Sequence, residues 1–133
     1  VVTVIGMWEP GFSDYEQIIE WRMWKQAIMA YEVDHWLMVG PPPKGGVFDQ
    51  YDTLQEALDA AVGKKVFLIP SADLDIDEVI LDEYSDIVFI FGNTPESMAR
   101  YVGDDLSLSI NIPNGRTHLF AVTCLPLVLH GLN

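Results

Sequence analysis

The sequence is poor in positive charge, in cysteine and in long apolar runs, and each shortage excludes something. Seven Lys and Arg stand against 20 Asp and Glu in 133 residues, a formal net charge of −13. A surface this negative repels phosphate backbones and anionic membranes at long range, so free RNA or DNA is an unexpected partner and a basic protein a plausible one. The one cysteine, Cys124, excludes an intramolecular disulfide and suits a reducing compartment; a cytoplasmic setting is the default expectation. The longest apolar stretch, Leu119–Leu129, contains Pro126 and is too short to span a bilayer, so no membrane partner is expected. The start, Val1-Val2-Thr3-Val4-Ile5, is strand-like and lacks the basic n-region of a signal peptide.

Several familiar sites are also missing. The turn after the first strand, Gly6-Met7-Trp8-Glu9-Pro10-Gly11, does not have the G-x-G-x-x-G spacing that cradles a pyrophosphate, and no P-loop occurs. A receiver-type phosphorylation domain would need an Asp closing the third strand, which instead ends Ile69-Pro70-Ser71. Asp73-Leu74-Asp75-Ile76-Asp77 begins like a calcium loop. The positions that should hold its turn Gly and its bidentate Glu are Glu78 and Tyr84, so a solvated acidic segment is the reading. His35, His118 and His130 have no zinc-type spacing, and no metal site is expected. His118 lies beside the last helix but lacks a partner nucleophile, so no catalytic residue is assigned. Trp8, Trp21, Trp24 and Trp36 fall in the first third, where helical spacing and sparse basic residues favour core or subunit interface over base stacking.

What is present is an alternation. Half the residues are apolar and a fifth charged, enough for a core within one domain, 1–133. Five apolar β-type runs are expected at Val1–Met7, His35–Val39, Lys65–Ile69, Ile87–Phe91 and Leu106–Ile112. Ser13-x-x-Glu16 and Thr53-x-x-Glu56 have capping-box spacing and open helices running to about Tyr31 and Val62, the second stopped by Gly63. Further helices are expected around Asp77–Glu83, from Thr94-Pro95 to about Val102, and over Leu119–Leu132. Near-continuous apolar strands alternating with helices predict an α/β fold: a mostly parallel sheet with helices on both faces. The first and last helices carry more apolar surface than one buried stripe uses, which predicts a homodimer.

The most informative stretch is the last third. Ile87–Phe91 runs into Gly92-Asn93-Thr94-Pro95, and Leu106–Ile112 into Pro113-Asn114-Gly115 before a nearly uncharged helix. Strand ends that spill into Gly/Pro turns are where open α/β sheets build pockets. With Val2–Pro10, the helix and strand that follow it, and Lys65–Pro70, this order resembles the small SPOUT, or trefoil-knot, methyltransferases. Ile90-Phe91-Gly92-Asn93 is similar to that family's Gly-x-Glu turn, Asn111-Ile112-Pro113-Asn114 to its Ile-Pro-Met turn, and Thr117–His130 to its closing helix.

The resemblance implies a C-terminal trefoil knot, a homodimer, and S-adenosylmethionine held by backbone groups of three loops: Ile69-Pro70, Gly92-Asn93 and Ile112-Pro113, with Thr117 at the start of the last helix. Departures accompany it. Where ribose methylases of the family place Asn and Arg on the first helix, this chain has Asp14 and Glu20; Thr94-Pro95 stands for the turn's Glu, and Leu119 for the last helix's Asn. The leading reading is a divergent SPOUT-like methyltransferase-fold protein that binds S-adenosylmethionine, its methyl acceptor unassigned. Two alternatives stand beside it: a non-catalytic acidic dimeric interaction module, and a small-molecule enzyme of flavodoxin-like topology.

Overall fold

The computed structural model describes residues 1–9, 11–40, 49–68, 74–75, 85–92, 101–103, 105–109 and 121–131. They form seven strands: β1 (Val2–Met7), β2 (His35–Val39), β3 (Asp49–Tyr51), β4 (Lys64–Leu68), β5 (Leu74–Asp75), β6 (Ile87–Phe91) and β7 (Leu106–Ser109). The helices are α1 (Asp14–Ala30), α2 (Leu54–Ala60) and α3 (Ala121–Gly131). All six strand pairings are parallel, in the order β3-β2-β1-β6-β4-β7-β5. The expected parallel α/β architecture is therefore what the chain adopts.

Alternation along the strands divides the core in two. Val4, Met38, Val66, Phe89 and Phe91 point to one face, where Trp24 and Ile28 of α1 and Val122, Leu125, Val128 and Leu129 of α3 cover them. Ile5, Leu37, Phe67, Val88 and Ile90 point to the other, covered by Leu54, Ala57 and Leu58 of α2. The four tryptophans share the first cluster: Trp8 and Trp24 are buried within it, and Trp21 and Trp36 pack against it. On α3, Pro126 sits inside the helix without ending it. The helix and α1 are tied at one end by Tyr31, whose hydroxyl is 3.2 Å from His130 Nδ1.

Local signals set the element boundaries. Ser13 accepts from the Glu16 N–H while the Glu16 carboxylate accepts from the Ser13 N–H, a complete capping box at the start of α1. Thr53 accepts from the Glu56 N–H and opens α2. That helix stops earlier than expected: Ala61 is already extended at φ −86°, ψ 140°. Gly63 belongs instead to the entry of β4, with φ +138°, and a Cβ there would lie 2.7 Å from the Asp86 carbonyl oxygen. It is needed for close approach of two backbones rather than as a helix stop.

Other boundaries also differ. Two short strands, β3 and β5, join the five expected ones and end the sheet at its two edges; such brief edge strands offer little template for pairing with another chain. β4 is one residue out of step with its expected start, at Lys64, and Ile69 lies outside the described residues. The expected helix at Asp77–Glu83 lies outside them as well, as does all of the helix expected over Thr94–Val102 except Tyr101 and Val102, which are not helical. Among the described residues no helix is long and apolar enough to cross a membrane.

Strand order also decides one alternative. A flavodoxin-like sheet would seat β4 directly beside β1. Here β6 lies between them, pairing Gly6 with Phe91 on one side and Leu68 with Phe91 on the other. The flavodoxin-like reading is thus corrected: an element late in the chain is inserted at the centre of the sheet.

Candidate ligand site

Parallel pairing puts every strand's carboxyl end on one edge of the sheet. The register levels four of them: Gly6 of β1 pairs with Phe91 of β6, Phe91 with Leu68 of β4, and Leu68 with Leu108 of β7. The strands that lead into the three proposed cofactor turns thus end side by side, as a ligand crevice in an open α/β sheet requires. Of the predicted cofactor residues, Gly92 is described; it is half-buried and directly follows a strand that is buried throughout. Ile69, Pro70, Asn93, Ile112, Pro113 and Thr117 lie outside the described residues, as does His118.

Beside this edge of the sheet the loop from β1 to α1 is held by hydrogen bonds that the sequence alone did not show. The Trp8 N–H donates to the Val39 carbonyl at 3.2 Å, carrying the β1–β2 pairing one residue further. Trp8 Nε1 donates to Gln50 Oε1 at 3.3 Å, and Gln50 Nε2 donates to the Gly40 and Tyr51 carbonyls, so β1, β2 and β3 are laced together at their carboxyl ends. Gly40 has φ +108°, the left-handed region that favours glycine.

The unexpected residue is Glu20. It lies on the inward stripe of α1 and is only 2% exposed. Both of its carboxylate oxygens accept from the Glu9 N–H, at 3.2 and 3.3 Å, and Oε2 also accepts from Trp24 Nε1 at 3.4 Å. Burial pushes the Glu20 carboxyl above its usual range; the two N–H donors oppose that shift and the Glu9 charge adds to it. Burial raises Glu9 as well. Cys124 is half-buried, and burial raises its thiol, away from nucleophilic reactivity. Two sequence signals fall on Glu20: the resemblance sets it at a family arginine position, and it stands four positions before Trp24 on the stripe that packs on the sheet.

A second surface feature lies away from this edge. Tyr15, Ile19, Arg22, Gln26 and Met29, spaced alternately by four and three, line the face of α1 opposite Trp24 and Ile28, and all are exposed. Tyr15 is 74% and Met29 67% exposed. A shallow groove bordered by Ile19, Met23 and Met29 with Arg22, Lys25 and Gln26 runs along it. Its open shape on one helix suits a protein surface better than a small ligand.

No protein-family model matches the sequence, and no curated protein sequence matches it. The fold, in contrast, is shared with solved structures. A Bacillus anthracis protein assigned as an RNA methyltransferase superposes with a TM-score of 0.72 at 13% identity, over 99% of this chain and 92% of its own. Full-length spTrm10, in complex with SAH, gives 0.60 at 13% identity over 98% and 86%. The SpoU methyltransferase AviRb of Streptomyces viridochromogenes gives 0.64 at 15% identity over 98% of this chain and 58% of its own. The chain therefore has a SPOUT-like methyltransferase fold, as the residue-level resemblance implied.

Proposed function

We propose that this protein is a divergent member of the SPOUT-like methyltransferase group that binds S-adenosylmethionine at the carboxyl edge of its sheet and works as a homodimer. The observation that carries this reading is the level register of β1, β6, β4 and β7, with Gly92 directly beyond the central strand, in a fold shared with a protein crystallised with SAH. Ile69-Pro70, Gly92-Asn93 and Ile112-Pro113, with Thr117, would hold the cofactor. Backbone groups at Gly and Pro positions can read an adenine edge without particular side chains, and Gly92 leaves room for close approach. Bound there, S-adenosylmethionine would supply an activated methyl group; its sulfonium cation is electrostatically compatible with a chain of net charge −13. The half-buried, lone Cys124 fits a reducing, cytoplasmic setting.

Calorimetry with S-adenosylmethionine and S-adenosylhomocysteine tests this reading. Saturable binding of both is expected, abolished by Gly92→Val through steric block and little changed by neutralising Asp73 and Asp75. Absence of binding to the folded wild-type protein would overturn it. One observation favours a second reading, an acidic module that docks on a basic protein. At the position matched to a family arginine stands Glu20, and its carboxylate is occupied by the loop rather than free for an acceptor. Capture of a basic partner without any cofactor binding would select that reading.

A further inference from the structure

Glu20 is the one buried charged residue among the described core positions, and its surroundings are unusual in what they lack. Its hydrogen-bond donors, the Glu9 N–H and Trp24 Nε1, are both neutral. Among the described residues no Lys, Arg or His forms an ion pair with it, and the titratable group that acts on it is the like-charged Glu9. Trp24, which carries one donor, has no freedom to follow a moving carboxylate. Its indole is wedged on Gly6, where a Cβ would lie 2.5 Å from Cη2, and it meets the Phe91 ring edge-on at 6.4 Å. The partner that can yield is the part of the loop beyond Trp8, which is itself anchored to Val39 and Gln50. Glu9 is held to Glu20 through its N–H, Phe12 N reaches back to the Glu9 carbonyl at a long 3.5 Å, and Gln17 Nε2 donates to the Phe12 carbonyl at 3.3 Å.

We propose that Glu20 is a positioning residue whose ionisation sets how firmly the loop between β1 and α1 sits on the carboxyl edge of the sheet. A neutral Glu20 accepts the Glu9 N–H through its carbonyl oxygen without placing charge in the core. An ionised Glu20 makes the stronger hydrogen bonds, but among the described residues it is a buried carboxylate without a counter-ion and with a second carboxylate beside it. Moving the loop outward lets water reach Glu20 and takes Glu9 away from it. Linkage fixes the direction: the seated loop binds the Glu20 proton more tightly than the loosened one, so rising pH loosens the loop. The raised position of Glu20, with burial the largest cause, agrees with this order of effects. Since the loop flanks the strand end next to Gly92, the same proton would modulate a ligand held there; that second consequence rests on the proposed cofactor site.

The test follows the Glu9 amide and the Trp24 indole N–H by NMR, with hydrogen exchange at Glu9, from pH 3.5 to 8.5 on the full chain. In the wild type both signals should move together with one midpoint, above the ~4.3 of an unperturbed glutamate. Exchange protection at Glu9, corrected for the intrinsic pH dependence, should fall by about tenfold for each unit separating the seated and loosened states. Glu20→Gln, which keeps the shape and is always neutral, should hold protection high and flat. Glu9→Gln should lower the midpoint. Flat signals in the wild type, protection that rises with pH, or an unchanged profile in Glu20→Gln would overturn the proposal. S-adenosylmethionine titrations over the same range should weaken with pH in the wild type and stay level in Glu20→Gln. Failure of the cofactor to bind at any pH counts against the cofactor site, and the exchange data then decide the role of Glu20.

Discussion

Gly6 and Trp24 are fitted to each other: a single methyl group at Gly6 would stand 2.5 Å from the Trp24 indole and 2.9 Å from Met38 Sδ. The absence of a side chain near the carboxyl end of β1 is what lets α1 lie close on the sheet and lets Trp24 reach Phe91 and Glu20 at once. Gly6→Ala is therefore expected to lower unfolding free energy by ~1–3 kcal/mol, the usual range for an overpacked core. In a background of Trp24→Phe, with a smaller ring, the added methyl group should be less harmful, and the double-mutant cycle should show a favourable coupling. Urea unfolding of the four proteins at one pH measures it; strictly additive losses would mean that the indole is not what Gly6 accommodates.

A dependence of global stability on pH follows from Glu20. Its folded-state pKa lies above the unfolded value, so the folded chain holds the proton more tightly. The corresponding stability is fully present below the unfolded pKa, ~4.3, and is lost as pH rises through the folded value. Glu20→Gln should therefore be more stable than wild type at pH 8, and its stability should fall less steeply as pH rises above ~4.3. Denaturant midpoints at three pH values measure this. A variant less stable than wild type across the range would show that the Glu9 and Trp24 hydrogen bonds outweigh the burial of charge.

The legibility of these features in the sequence was uneven for physical reasons. His35–Val39 and Ile87–Phe91 coincide with β2 and β6 because strands buried on both faces must be continuously apolar, a pattern local enough to read. The Ser13 box likewise involves only neighbours in the chain. Strands β3 and β5 were not legible, since Asp49-Gln50-Tyr51 and Leu74-Asp75 take their conformation from pairing to β2 and β7 rather than from an apolar pattern. The insertion of β6 between β1 and β4 depends on packing between distant segments, which local periodicity does not report. Gly63 read as a helix stop because its neighbour across the fold, Asp86, is 23 positions away. The burial of Glu20 was not legible, because an acidic residue on a helix is ordinarily exposed. Of the residues named for the cofactor, only Gly92 is among the described ones, directly beyond β6.

Free nucleic acid is expected to bind poorly. With seven basic residues against 20 acidic ones, the chain gains little from displacing counterions, and that gain supplies most non-specific affinity. Filter binding with a random RNA at physiological salt should show no retention above background. Tight retention that weakens steeply with salt would place a basic surface on the molecule that its composition argues against.

The proposed dimer makes a sharper prediction than apolar area alone. Among the large apolar side chains of the two helices, Leu125 is fully buried in the protein's own core and Leu127 of α3 is half-exposed, so α1 carries most of the free apolar face. Its outward stripe, Tyr15, Ile19, Arg22, Gln26 and Met29, has the four-three spacing by which two helices interlock. Asp14 and Lys25 project on the same flank of that stripe, eleven positions apart and nearly equidistant from Ile19–Glu20. If two copies of α1 pair antiparallel about that point, each Asp14 meets the Lys25 of the other copy, twice over by symmetry. Ile19→Asp should then yield folded monomers in sedimentation at micromolar concentration, with an unchanged circular-dichroism spectrum, because Ile19 is exposed in the single chain. Lys25→Asp alone should weaken the dimer, and Asp14→Lys combined with Lys25→Asp should restore much of it. A wild-type protein that sediments only as a monomer would remove the dimer. A dimer indifferent to Ile19→Asp would move the interface off α1.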